Sequence, residues 1–359
     1  MRIRKNIHSA HFALTAVFII GNTIINLPFG RGIEGAVSGF ILCVAASIPL
    51  FFMLSRVQRS LNGKSLGNST EYIFGKITGR ALSILFSAFC MLCAVACMRN
   101  FLSFADNQIL PFGKTLLPSV LFTALAVVLC FVKKVAVIKL AFISFILTVA
   151  AEIFLLLCSL SQMSIDNLMP ILGTDITDTL YQAISYFAMS FAQCTVLLAF
   201  FMGYTKSEEK HTYKAGVLAG AAVLILCLVH TLSVFGFSYT GTLRFPYALA
   251  MSTVTVGDKF IRLEGFSYLI YFFCCLIKTA VCIISAREVL KNITGRYTKY
   301  LPIISGIILI IFSALNDFFR PLEFIRIAPW FLVPAIGFPV ILLIGYQVKN
   351  RIRCRCKTR

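Results

Sequence analysis

Apolar runs of about 20 residues recur from one end of this 359-residue chain to the other. That is the length an α-helix needs to cross the ~30 Å hydrocarbon core of a bilayer, whereas a β-barrel reads as segments of about ten residues with alternating polarity. Composition agrees, with 59% of the residues hydrophobic and 13% charged, against about 45–50% and 25% in soluble domains. A soluble chain of this size would leave much of that apolar surface in water. This excludes a cytoplasmic enzyme, a secreted disulfide scaffold and a disordered regulator. We read ten spans, at roughly 12–29, 36–54, 81–106, 116–132, 138–160, 181–203, 215–238, 262–286, 301–315 and 329–347. The predicted fold class is an all-α integral membrane protein of ten transmembrane helices, forming a single membrane domain over 1–359.

The net charge of +19 invites a nucleic-acid reading, but its distribution does not. Taken over alternate connections, 24 Lys and Arg fall with the N-terminal tail, 55–80, 133–139, 204–214, 287–300 and 348–359, and 7 fall on the other side. Such a bias predicts that both termini and the basic loops are cytoplasmic. The basic cytoplasmic tail, 348–359, then rests on anionic headgroups. The bilayer, and no nucleic acid, is the partner that this charge implies. The first run carries Asn22, Thr23 and Asn26 and has no small-residue cleavage site, so it reads as a span and not as a signal peptide. Eleven of the 13 cysteines, Cys43 to Cys282, lie within spans and count as small apolar residues. Cys90-x-x-Cys93 has redox spacing without the βαβ context that such a motif needs.

The longest polar connection, 55–80, reads as a short amphipathic helix on the inner surface, ended by Gly75 or Gly79. There is no P-loop, nucleotide fingerprint, zinc spacing or nucleophile elbow, and neither a cofactor nor an enzymatic activity is predicted. Ten spans divide into two five-helix halves, 12–160 and 181–347. Because five is odd, the second half enters the membrane from the opposite side, so any repeat is inverted. Transporters built this way bind substrate at the midplane, where the first helix of each half is interrupted. Span 1 carries such an interruption, Gly21-Asn22-Thr23 followed by Pro28. Freed N–H groups there suit a carboxylate and freed carbonyls a cation; the alternative is a helix-packing notch. Span 6 has Ser190 and Gln193 at its centre without Gly or Pro, which fits an intact helix or a break.

These pieces resemble the amino acid–polyamine–organocation superfamily and, more narrowly, the spore germination permeases, the GerAB-type B subunits of endospore germinant receptors. The resemblance covers about residues 9–347. It rests on the span-1 segment, Glu71-Tyr72-Ile73-Phe74-Gly75-Lys76, Asn167-Leu168-Met169-Pro170, Phe245-Pro246-Tyr247 and Arg262-Leu263-Glu264. It implies a LeuT-like inverted-repeat fold and a small-molecule germinant such as an amino acid. It also implies A-type and C-type germinant receptor subunits as partners in the spore inner membrane. Members often carry Glu in the middle of span 6, where this chain has Gln193.

Ionisable groups inside spans are functional candidates, since each costs about 2.5–3.5 kcal/mol at midspan on insertion scales. At ~1.5 Å per residue, Arg99, Glu152 and His230 sit about 10–12 Å below the same boundary. Equal depth makes an Arg99–Glu152 pair possible, either as a packing bridge or in coupling or gating; Asp106 is the alternative partner for Arg99. His230 reads as a packing residue. Lys278 lies about 12 Å from the inner end of span 8. It either snorkels to the inner headgroups or occupies a cation site beside span 1, with carbonyls near Gly21 as acceptors. The ligand-binding candidates are thus Gly21, Asn22, Thr23, Ser190 and Gln193, and the coupling candidates Arg99, Glu152 and Lys278. The expected function is a germinant-binding receptor subunit; a free-standing proton-coupled amino-acid transporter is the alternative.

Overall fold

The computed structural model describes residues 2–24, 27, 32–61, 65–109, 116–169, 175–202, 212–254, 264–314 and 328–357. Asn26, Pro28, Pro170, Arg262, Leu263 and the last two residues of the basic tail lie outside them. The described residues form helices joined by turns and short loops, without strands. The helices are α1 (Arg2–Ile20), α2 (Ala36–Ser60), α3 (Leu66–Phe74), α4 (Lys76–Phe104), α5 (Leu116–Phe131), α6 (Lys134–Ser159), α7 (Ile176–Tyr186), α8 (Val196–Phe201), α9 (Thr212–Thr240), α10 (Pro246–Ser252), α11 (Glu264–Thr294), α12 (Leu301–Ala314) and α13 (Leu332–Lys357). Helix is the outcome expected of apolar chain in lipid, because it satisfies every backbone group within the segment. Helices occupy all ten apolar segments read from the sequence, with α7 and α8 sharing one. Seven apolar stretches are long enough to cross a membrane, one of them running through α11 and α12. α1 and α5 supply shorter apolar helices, His11–Ile20 and Leu116–Phe131.

The exterior is apolar in a way that a soluble protein's is not: Leu121, Val128, Phe154, Leu157, Ile304, Ile307 and Ile344 are exposed on α5, α6, α12 and α13. The interior is mainly apolar as well, but it also encloses Asn22, Thr23, Glu152, Ser190, Gln193, His230 and Lys278. An apolar exterior of this extent is a lipid-facing surface.

α11 is the hub: it packs on α1, α4, α5, α6 and α8. α1 lies against α9, α6 and α11, α2 against α7, and α12 against α4 and α5. Two glycine pairs at helical spacing allow close approaches. A Cβ on Gly216 of α9 would stand 2.5 Å from the Phe12 carbonyl oxygen of α1, and one on Gly220 3.1 Å from Ile19 Cβ. A Cβ on Gly35 would stand 2.6 Å from the Thr179 nitrogen of α7, and one on Gly39 2.7 Å from Gln182 Cβ. Small residues four apart let helix backbones approach where no hydrophobic effect drives them together.

The amphipathic segment is α3, and it stops at Gly75, whose φ of +87° only glycine adopts readily. α4 starts at the next residue, so Gly79, the other expected stop, lies inside α4 against the Glu71 backbone. Gly216→Ala should therefore lower the detergent melting temperature, by an overpacking cost of about 1–3 kcal/mol. Gly220→Ala should cost less. Equal melting for Gly216→Ala and the unmodified protein would contradict the close α1–α9 contact.

Candidate functional site

α1 ends where span 1 turns polar. Its helical bonding closes with Gly21 N donating to Val17 O (2.8 Å), and then Thr23 N and Ile24 N both turn back to Ile20 O at 2.9 and 3.0 Å. Residues 21–24 form a fully buried turn, not a further stretch of helix. α11 faces that turn. Lys278 is 0% exposed; its Nζ donates to Asn22 Oδ1 at 2.6 Å and lies 4.9 Å from the centre of the Phe18 ring. The aliphatic stem crosses Gly21 so closely that a Cβ there would meet Lys278 Cδ at 2.6 Å. Gly21 is thus required for the stem to pass. Of the two sequence readings of Lys278, the snorkelling one fails, because the side chain turns into the bundle. The expected acceptor is also corrected: it is the Asn22 side chain and not a freed carbonyl.

Span 6 resolves in a third way, neither an intact α-helix nor an unwound break. After α7 the chain widens into a π-turn at Phe187–Phe191, tightens into a 3₁₀ turn at Ala192–Thr195 and continues as α8. Such a distortion needs neither Gly nor Pro, which is why neither marks it in the sequence; π-turns recur at functional sites. The distortion turns Ser190 toward span 1, where its hydroxyl donates to Thr23 Oγ1 at 2.9 Å. Gly21, Asn22, Thr23, Ser190 and Lys278 are thereby joined in one cluster. Thr195, beyond it, donates to Ala335 O at 2.9 Å and ties the distorted segment to α13.

Several polar atoms of spans 1, 6 and 8 are buried without hydrogen-bond partners among the described residues: Asn22 Nδ2, both amide atoms of Gln193, Tyr186 Oη and Thr279 Oγ1. Each such group costs about 1–3 kcal/mol if it stays unsatisfied. Among the described residues no carboxylate pairs with Lys278. The ion pairs Arg80–Glu71, Lys134–Glu288 and Arg287–Glu288, at 3.0, 3.6 and 3.6 Å, stand at the basic end of the bundle. Among the described residues no group of three His, Cys, Asp or Glu is arranged to hold a metal, and Cys90 and Cys93 are free, buried thiols.

The expected Arg99–Glu152 pair does not form. Glu152 on α6 accepts hydrogen bonds from the Tyr247 hydroxyl, from Tyr271 Oη at 2.5 Å and from Cys227 Sγ at 3.5 Å. Arg99, on α4, is half-buried and is not among its partners. Residues at one depth can face different neighbours around the helix axis, and Glu152 faces α9, α10 and α11. Tyr247 and Tyr271 were missed as functional candidates. The available signal was a tyrosine in an apolar run, whose hydroxyl needs a partner once buried. His230 is buried edge-on to Tyr247, with ring centres 5.9 Å apart.

The profile of the family described as "Spore germination protein" matches residues 7–320. The chain belongs to that family. No curated protein matches it in sequence. Among solved structures it is similar to Mhp1, a nucleobase-cation-symport-1 family transporter in a closed conformation with bromovinylhydantoin bound. That match has a TM-score of 0.60 and 15% identity, and it covers 95% of this chain and 76% of that one. It is also similar to a histidine-to-alanine mutant of the Eremococcus coleocola manganese transporter, with a TM-score of 0.56, 13% identity and coverage of 94% and 78%. At such identities the likeness is one of fold. Family and fold together make the chain a multi-pass membrane protein of permease type and not an enzyme.

Because Arg99 and Glu152 share no contact, the losses in melting stability of Arg99→Met and Glu152→Gln should add to within about 0.5 kcal/mol in the double mutant. A coupling above about 1 kcal/mol would reinstate the pair.

Proposed function

We propose that this spore germination protein is the permease-like membrane subunit of a germinant receptor. It binds a small germinant, an amino acid, at the midplane of the bundle and triggers germination together with A-type and C-type subunits in the spore inner membrane. The observation that carries this reading is the buried Lys278–Asn22 contact at the interruption of span 1. It lies beside a distorted span 6 with unpartnered polar atoms on Gln193, Asn22 and Tyr186. A polar ligand seated among them supplies the missing partners, and its carboxylate gives Lys278 a counter-charge. The lysine takes the place of a bound cation, and its bond to Asn22 links ligand binding to rearrangement of spans 1 and 8.

The proposed architecture is ten spans in a five-plus-five inverted repeat, with cytoplasmic termini. Two observations support the repeat. Exchanging span n with span n+5 carries two of the main contacts onto other observed ones: α1 with α9 becomes α7 with α2, and α5 with α11 becomes α12 with α4. The glycine pairs obey the same exchange. Gly216 and Gly220 on span 7 receive span 1, and Gly35 and Gly39 at the start of span 2 receive the first helix of span 6.

The transporter fold favours a second reading, a free-standing proton-coupled amino-acid transporter using the same cluster. Binding and uptake of labelled amino acids by proteoliposomes, with and without the partner subunits, test both readings. The receptor reading predicts binding without uptake by the lone chain, whereas concentrative uptake by the lone chain establishes the transporter. In either case Lys278→Met and Gly21→Leu should lower binding at least about tenfold. Lys278→Arg should not restore it, since a guanidinium keeps its proton and differs in shape. Normal binding in Lys278→Met would remove the cluster from the ligand site.

A further inference from the structure

A second buried polar centre lies about 27 Å along α6 from Lys134, eighteen residues away, and the ligand reading does not use it. α10 is a short helix at the basic-poor end of the bundle, packed on α9 and α11. Its Tyr247, 2% exposed, reaches into the bundle to Glu152 of α6, which Tyr271 of α11 and Cys227 of α9 also contact. Tyr271 Oη further lies 3.3 Å from Tyr247 Oη and 3.2 Å from Met251 Sδ of α10. Four helices therefore meet at one carboxylate. We propose that Glu152 is a proton-binding site that acts as a latch, holding α10 on the bundle while ionised and loosening it when protonated.

The donor pattern selects the proton over a metal cation. Three X–H groups already point at the two carboxylate oxygens, whereas a metal ion needs lone pairs directed at it. The groups facing Glu152 are Cys227 and His230 on α9, Tyr247 on α10, and Tyr271 and Cys274 on α11, with Thr148 on α6 itself bonded to Cys274. α1, also packed on α6, brings only His11 among its described titratable side chains, and His11 stacks edge-on against Phe201. Among the described residues no Lys or Arg forms an ion pair with Glu152, so a proton from the aqueous phase is the cation that neutralises it. Taking up that proton forms one O–H bond and breaks none within the protein. The carboxyl group then becomes a donor at one oxygen. The bonds that the carboxyl accepts are then no longer charge-assisted and fall to roughly half their strength, and the one from Tyr247 shares Oε2 with that from Cys227.

The other ties of α10 and its flanking residues involve no carboxylate. Tyr268 Oη meets Ala248 O at 3.4 Å, Gln162 Nε2 donates to Thr253 O at 2.8 Å, and Arg244 Nη2 donates to Ser103 Oγ at 3.0 Å. The chain also bends just ahead of α10. α9 is kinked at Gly236, with φ +70° and ψ 172°, four residues before it ends and ahead of α10. That conformation belongs to glycine almost alone, so the segment leading to α10 departs from the body of α9.

The test is amide hydrogen exchange on the purified full chain in lipid nanodiscs without ligand, from about pH 8 to about pH 4, corrected for the pH dependence of intrinsic exchange. In the unmodified protein, protection of residues 246–254 should fall at least about tenfold on acidification. Infrared difference spectra should show the carbonyl stretch of a protonated carboxylic acid appearing over the same range. Glu152→Gln should lack that band and exchange fast in 246–254 at every pH; Tyr247→Phe should exchange fast there too but keep the band. Identical protection and pH profile in Glu152→Gln and the unmodified protein would overturn the proposal. If Glu152→Gln does not fold, protection of 246–254 that stays constant in the unmodified protein while the infrared band appears would overturn it equally. No germinant enters these measurements, so their outcome is separate from that of the ligand-binding tests.

Discussion

One buried hydrogen bond sets the geometry of the centre of this protein. Lys278 sits on the helix that touches the most others, is fully enclosed, and ends on the Asn22 side chain where α1 stops being a helix. A buried amine is costly unless it is hydrogen-bonded and compensated. The surroundings follow from that constraint. Gly21 has no side chain because the lysine stem crosses it, Phe18 offers its ring face, and Asn22 offers a carbonyl oxygen without a charge. The turn at 21–24 in its turn places Thr23 against Ser190, which joins the two irregular spans.

Much of this was legible in the sequence because bilayer thickness and backbone chemistry leave few choices. Each apolar segment read from the chain holds helix among its described residues, and Gly21-Asn22-Thr23 marks the place where α1 ends. The same patterns failed where the answer depended on the direction a side chain faces. Arg99 and Glu152 share a depth, but Glu152 points at tyrosines on α10 and α11. Lys278 offered two destinations at equal cost in the sequence, and the crossing at Gly21 decides between them. Span 6 bends through a π-turn and a 3₁₀ turn, which carry no reliable residue signature, so its distortion stayed hidden although Ser190 and Gln193 were identified.

The two Gly-x-x-x-Gly faces went unread for a different reason. In a chain with 22 glycines, a pair four apart gains meaning only when its partner helix is known. Their positions make the close contacts between the proposed halves reciprocal, each half offering its second span to the first span of the other. Glycine contacts bring these helices together at short range. The central polar cluster therefore sits between backbones that have little room to separate without moving as units.

The measurement that bears most directly on this account is a double-mutant cycle between Asn22 and Lys278, read as thermal or denaturant stability of the purified protein in one detergent. Asn22→Ala, Lys278→Met and the double mutant are compared with the unmodified chain. A bond to a charged group should appear as a coupling of about 1.5–3 kcal/mol, the double mutant losing less than the sum of the single losses. Strict additivity would mean that the lysine is not held at the interruption of span 1, and the centre described above would have to be rebuilt around other residues.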